Sequence, residues 1–446
     1  MNHDHETLET STLSLRLNPR GIVFDSLLVR PDASNSRDVL VGFENSEDLR
    51  QRTFFGPVVG RYANRLPAGK TQLCTGATIS LTGTNSVCLH GGDAGFDTLP
   101  WTPIPRPDSA LFPLDDPAHP PPPLPSDPHQ PPSQQDATFR LYSPAGADGF
   151  PCTLETEVLI VVTTPTARGE SDLEEGDRAS EDKESCGKVK VVMRSKIKED
   201  GDKDVEMGTP VNLTVHWGFR LDDCKNPNVL GHKLFIDSTE LVSLDEKGLS
   251  TGSIDKIESN GKGYDFASSG LEGQHREIGQ GYPDEGIDRN FLLRPQRVDS
   301  RLPISSNPQV VLTSPSGDSP SLSLSFRTSL PSVQVYSAPG LDGTGPTRKL
   351  AHVHALSSAD PSKGYQKDGA IFLEFQQPVG TIVHTATEEV RRQGNELKTW
   401  LEERTDQLGM GDDAREGGLR SWERDSLLRK GQVWESVVEM DVRVAK

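Results

Sequence analysis

Residues 210–221, PVNLTVHWGFRL, alternate strictly between apolar and polar or small positions. Val211, Leu213, Val215, Trp217, Phe219 and Leu221 fall on one face of an extended chain, and Asn212, Thr214, His216, Gly218 and Arg220 on the other. Successive strand side chains point to opposite faces, so the pattern predicts a half-buried β-strand. The same alternation predicts strands at LSLRL (13–17), IVFDSLLV (22–29), DVLVGF (38–43), ATFRLYS (137–143) and KVKVVMRSKIK (188–198). Later in the chain it recurs at SLSLSFRTSL (321–330), VQVYSA (333–338), AIFLEFQQ (370–377) and VWESVVEMDVRV (433–444). A helical period is clear at 386–406, where Val390, Leu397 and Leu401 form a narrow apolar stripe. Many strands, turns at short intervals and one helix predict an all-β protein, a large antiparallel β-sandwich spanning 1–446 as one domain.

Three segments interrupt that pattern. Residues 102–136 are proline-rich, 165–187 are densely charged, and 385–424 are mostly polar and end in a glycine-rich stretch. Composition predicts the first two as extended or disordered surface insertions and the third as a polar insertion that includes the helix. They carry no candidate chemistry.

Charge and cysteine usage narrow the class. The chain of 446 residues has a net charge of −19, which argues against a nucleic-acid or anionic-membrane surface and suits a neutral small-molecule ligand. Five cysteines without a C-x-x-C spacing predict free thiols in a reducing compartment. No apolar run reaches the ~18 residues of a membrane span, and the polar N-terminus lacks a signal-peptide core. The expectation is a cytoplasmic protein, either monomer or homodimer.

Candidate chemistry lies on the polar strand faces. His216 sits mid-strand, with small or polar neighbours on its own face. Glu374 sits mid-strand between apolar residues, where desolvation raises a carboxyl pKa and strengthens it as a base. His90 precedes Gly91-Gly92, a turn that presents an imidazole to a cavity. Asn64 and Arg65 lie in the glycine-dense stretch 54–70, which matches no phosphate-loop spacing. For each strand taken alone, a surface His and an edge or salt-bridged Glu are the simpler readings. Together, His216 and Glu374 form an acid–base pair if the two strands meet. HVH at 352–354 lacks an H-E-x-x-H spacing or a third ligand, so no metal site is predicted.

Several ordered blocks then resemble one family, the aldose 1-epimerases (galactose mutarotases). LHGGDAGFD with Trp101 is similar to its LHGG-x-x-GFD-x-x-x-W signature, and PVNLTVHWGFRL to PVNLTNHSYFNL. FFGPVVGRYANR, FPCTL, GIDRNFLL, VQVYSAPGLDG, IFLEFQQP and LLRKGQVW resemble further family blocks in order. The resemblance implies a galactose mutarotase-like supersandwich. It implies interconversion of the α and β anomers of free aldoses such as galactose and glucose, without a cofactor. It implies His216 as general acid and Glu374 as general base, with Asn64, Arg65, His90, Asp288 and Gln334 holding sugar hydroxyls. Four positions depart from the family pattern, namely Val215, Trp217-Gly218, Arg289 and Phe375. They bear on substrate preference. Two other readings fit the same fold: a silent sugar-binding or regulatory protein, and an epimerase of hexose 6-phosphates with Arg220 or Arg289 as the basic group.

Overall fold

The computed structural model describes residues 5–32, 35–123, 131–165, 183–198, 208–224, 226–258, 263–271, 274–294, 307–353, 363–407, 419–420 and 426–445. Two large sheets carry the fold. The ten-stranded sheet runs in the order Thr102–Ile104, Gln134–Ser143, Leu154–Thr163, Lys183–Ile197, Val433–Ala445, Leu322–Thr328, Val310–Thr313, Lys233–Ile236 and Arg276–Glu277. The short Leu419–Arg420 strand joins Val433–Ala445 in parallel. The six-stranded sheet runs Gly218–Phe219, Ile371–Gln376, Ser332–Tyr336, Asp288–Leu293, Ser238–Leu244 and Ser250–Lys256. A four-stranded sheet, Glu6–Glu9 through Asn35–Asp38, covers the core from the N-terminal side. Apart from the parallel Leu419–Arg420 strand, the pairings in these sheets are antiparallel, as the alternation predicts.

The apolar faces of the three sheets meet in one cluster. Leu15 and Leu27 come from the N-terminal sheet, Val191, Phe326 and Met440 from the ten-stranded sheet, and Val333, Leu373 and Phe375 from the six-stranded sheet. Each such side chain stabilises the fold by about 1.5–3 kcal/mol relative to exposure. Strand period decides the rest: if Leu373 and Phe375 enter the core, Phe372, Glu374 and Gln376 leave on the other face. That second face is buried too, with Glu374 at 2% and Gln376 at 0% exposure.

Segment 210–221 differs from its pattern in two ways. It is not half-solvated, because every residue from Gly208 to Leu221 is buried. Nor is it one continuous strand. Thr209–Pro210 pairs with Leu427–Leu428, Thr214–Val215 with Val58–Val59, and Gly218–Phe219 with Ile371–Phe372. Alternation specifies which face a side chain takes, not which strand its backbone bonds, and here three different partners follow one another. DVLVGF (38–43) likewise is not a third strand: the strand is Asn35–Asp38, and Leu40 and Phe43 make isolated bridges to Phe219 and Arg348.

The helical stretch near 386–406 divides into Glu388–Gln393 and Glu396–Gln407, preceded by a short helix at Thr381–Thr385. Gly394, in the left-handed region at φ 70°, ends the first, and Asn395 Oδ1 accepts the Lys398 N–H at 2.8 Å to start the second. Leu397 and Leu401 seat this helix on Val242, Leu292 and Val379. The described part of the proline-rich segment is also built into the fold. Thr102–Ile104 pairs with Thr138–Arg140, and Leu111 and Phe112 pack on Leu159, Val192 and Val437. Buried Arg194 reaches Asp116 and Glu435 at 2.6 Å each. Proline content predicts an extended backbone but is silent on these side-chain anchors. The end of the charged segment, 183–187, is not disordered but belongs to the Lys183–Ile197 strand paired with Val433–Ala445; residues 124–130, 166–182, 408–418 and 421–424 of the three segments lie outside the described residues.

Candidate active site

Three adjacent strands and two loops converge on a cleft of about 300 Å³. Asp288 lies on Asp288–Leu293, Gln334 on Ser332–Tyr336 and Glu374 on Ile371–Gln376, and the register sets Gln334 directly across from Glu374. His216 comes from the link between Thr214–Val215 and Gly218–Phe219. Asn64, Arg65 and His90 come from the loops around Arg65–Pro67 and Val87–Leu89, which pair antiparallel. All seven residues singled out from the sequence line this one cleft.

Its centre is a direct contact. His216 Nε2 lies 3.2 Å from Glu374 Oε1, and both side chains are buried. Trp217 sets the spacing: its indole N–H donates to Leu373 O at 2.8 Å, locking the residue after His216 to the residue before Glu374. Gly218 leaves room for Phe372, since a Cβ there would lie 2.6 Å from the ring. Phe372 packs edge-on against His216, with ring centroids 5.1 Å apart.

A second cluster orients the donors. His90 Nδ1 accepts the Asn64 N–H at 3.1 Å, so Nε2 carries the ring proton and donates. Asn64 Oδ1 accepts the Arg65 N–H at 2.9 Å. Asn64 and His90 both sit in the left-handed region, at φ 65° and 50°, a conformation held where surroundings over-determine it. Gly91 follows because any side chain there would strike Gly60 O. Arg65 Nη2 meets Asp288 Oδ2 at 3.1 Å, and Gln334 Nε2 donates to Asp288 Oδ1 at 2.5 Å. Glu374 Oε2 and Gln334 Oε1 are buried acceptors with no donor among the described residues, free for hydroxyl groups.

Burial sets the protonation of the pair. It pushes Glu374 up to about 8, aided by the nearby Asp288 charge and opposed by Arg65. It pulls His216 down to about 4, against the backbone carbonyls and Asp288, and holds His90 well below the usual imidazole range. Near neutral pH the pair therefore holds one proton between a carboxyl and an imidazole, which is what paired donation and abstraction require. His90, His216 and Glu374 also form the one His/Cys/acid group among the described residues whose ligand atoms lie within 4.8 Å of one another. The protonated Nε2 of His90 makes the set a donor–acceptor array for hydroxyls, not a cation site. His352 of the HVH motif is buried, with its ring nitrogens on Tyr365 Oη and Asp38 O; His354 lies outside the described residues.

The departures noted in the sequence stay out of the cleft. Val215, Trp217 and Phe375 belong to the core cluster. Arg289 lies over the Tyr264 ring and donates to the Asp288 carbonyl. Arg220 is buried against Asp222. Neither basic candidate for a phosphate lines the cleft. Residues that sequence reasoning missed include Arg52, Phe54, Tyr336, Leu341 and Phe372. The two-residue period marks Tyr336 and Phe372, which share faces with Gln334 and Glu374; nothing local marks Arg52. A neighbouring cavity of about 300 Å³ shares Thr53 and Phe54 but is lined by Asn18, Arg20 and Asp97 and holds no acid–base pair.

Comparison with known proteins places the chain in one family. The family model described as aldose 1-epimerase matches residues 17–166 and 186–402. Galactose mutarotase of Bos taurus is 26% identical over 376 residues, covering 83% of this chain and 84% of that protein. Aldose 1-epimerase of Haemophilus influenzae is 26% identical over 314 residues, covering 70% of this chain and 72% of that protein. In fold, the chain resembles the GalM/aldose epimerase homologue from C. elegans (TM-score 0.62, 16% identity, 99% of this chain and 100% of that one). It also resembles galactose 1-epimerase from Lactobacillus acidophilus (TM-score 0.60, 16% identity, 99% and 95%).

Proposed function

This chain belongs to the aldose 1-epimerase family, and from that premise we propose that His216 and Glu374 interconvert the α and β anomers of free aldoses such as galactose and glucose. The protein is a carbohydrate isomerase with mutarotase function. The observation that carries the assignment of roles is the 3.2 Å contact between His216 Nε2 and Glu374 Oε1 on the wall of a cleft.

The chemistry follows from those two atoms. O1 and O5 of a pyranose are both bonded to C1, so an adjacent acceptor and donor serve them together. With the pair's one proton placed on His216, Glu374 as carboxylate takes the O1 proton, the C1–O5 bond breaks to give the aldehyde, and His216 delivers its proton to O5. Rotation about C1–C2 presents the other carbonyl face. Glu374 then returns a proton to the carbonyl oxygen while O5 attacks C1 and loses its proton to His216. The pair ends as it began, so no external proton or electron is needed. Asn64, Arg65, His90, Asp288 and Gln334 hold the ring hydroxyls, each already fixed by a neighbour, which limits reorganisation in the transition state.

The test is polarimetry on fresh α-galactose and α-glucose. Wild type should equilibrate both well above the spontaneous rate. Glu374→Gln, nearly isosteric, should lower kcat by about 10²–10⁴-fold, the usual contribution of a positioned general base. A folded wild type that accelerates neither sugar would overturn the assignment in favour of a silent sugar-binding protein.

A further inference from the structure

Arg52 lines the same cleft as the acid–base pair, yet its guanidinium forms no hydrogen bond or ion pair among the described residues. The other charges there are met: Arg65 by Asp288, and Asp288 also by Gln334. Two guanidiniums thus face one carboxylate, with the buried Glu374 holding a proton up to about pH 8. A chain of net charge −19 keeps a surplus cation in its binding cleft.

Its position is at the outer end. Asp288 and Arg65 are the charges acting on Glu374; all three reach Tyr336, and of the three only Arg52 also acts on the exposed Asp342. Its Nη1 lies beside Gly345, on the loop that carries Leu341 and Asp342. Asp342 is beyond ion-pair range of it and uses Oδ1 to accept the Thr344 N–H and O–H. With C1 and O5 placed at His216 and Glu374, this end of the cleft receives the part of the sugar remote from the anomeric centre.

We propose that Arg52 fits the cleft to aldoses carrying a carboxylate remote from C1, the hexuronic acids, alongside neutral hexoses. One planar guanidinium matches one carboxylate in a two-bond fork. A phosphate dianion would call for a second uncommitted cation, and Arg65 is already paired. The acid–base step is unchanged, since the carboxylate takes no part in ring opening. The inference rests on the mutarotase reading of the site.

The experiment compares kcat/KM by polarimetry for α-galacturonic acid, α-galactose and galactose 6-phosphate, with wild type, Arg52→Ala and Arg52→Lys. Wild type should accelerate galacturonate, and Arg52→Ala should lower the galacturonate-to-galactose ratio by about tenfold or more, the worth of a charge-assisted pair. Arg52→Lys should fall between, and added salt should lower the wild-type ratio. An unchanged ratio in Arg52→Ala, or wild type that accelerates galactose but not galacturonate, overturns the proposal and leaves the mutarotase reading standing. An Arg52-dependent preference for the 6-phosphate over galacturonate overturns the carboxylate assignment. If no sugar is accelerated, the mutarotase reading fails, and calorimetric titration of galacturonate into wild type and Arg52→Ala still decides whether Arg52 binds the anion.

Discussion

At the scale of the residue, the decisive quantity is the single proton shared by His216 and Glu374. Below about pH 4 His216 takes a second proton and the pair loses its base; above about pH 8 Glu374 gives up its proton and the pair loses its acid. The pH profile of kcat/KM should therefore be bell-shaped with limbs near those values, and Glu374→Gln should abolish the alkaline limb. Stability follows the same group with a definite sign. The unfolded carboxyl ionises above its ordinary 4.5, while the folded one keeps its proton to about 8. Its contribution is whole below 4.5 and is lost as pH rises through 8. Thermal unfolding should show Glu374→Gln raising Tm over wild type at pH 9 and doing so much less at pH 4.5. A pH-independent difference would mean that Glu374 is not the group responsible.

Elements place these residues. Trp217 fastens His216 to the Glu374 strand through one bond to Leu373 O, and Gly218 admits the Phe372 ring that packs on His216. Gly218→Ala should force that ring aside, costing about 1–3 kcal/mol in denaturant unfolding and lowering kcat more than it raises KM. A variant with wild-type stability and kcat would show that the ring has room to move. Strand period made much of this legible. It put Glu374 opposite the core-facing Leu373 and Phe375, and it grouped Tyr336 with Gln334. It did not show the break of 210–221 into three short pairings. That break depends on where Val58, Leu427 and Phe372 stand in space, and no local pattern encodes them.

For the whole molecule, the anchor far from the cleft is Arg194. It joins the central Lys183–Ile197 strand to Asp116 of the proline-rich segment and Glu435 of the neighbouring strand, all buried, and its guanidinium lies 4.6 Å from the Phe112 ring centroid. Removing one partner of a buried ionic group leaves the others uncompensated. Arg194→Ala should cost about 3–5 kcal/mol in urea unfolding. Below its Tm the variant should still epimerise, because Arg194 and Glu435 lie on the ten-stranded sheet and Asp288, Gln334 and Glu374 on the six-stranded one. Loss of activity with stability intact would contradict that separation.

Two kinds of information separate cleanly here. Periodicity and turn chemistry act over a few residues, so the sequence alone determined an antiparallel β architecture and the faces on which His216, Glu374 and Gln334 lie. Its ordered blocks determined the family. The 3.2 Å approach of His216 to Glu374, the pairing of Arg65 with Asp288 and the open guanidinium of Arg52 join residues far apart in the chain. Only the tertiary structure decided those. Burial then set the protonation of the acid–base pair, because desolvation depends on what surrounds a group from every side and not on its neighbours along the chain.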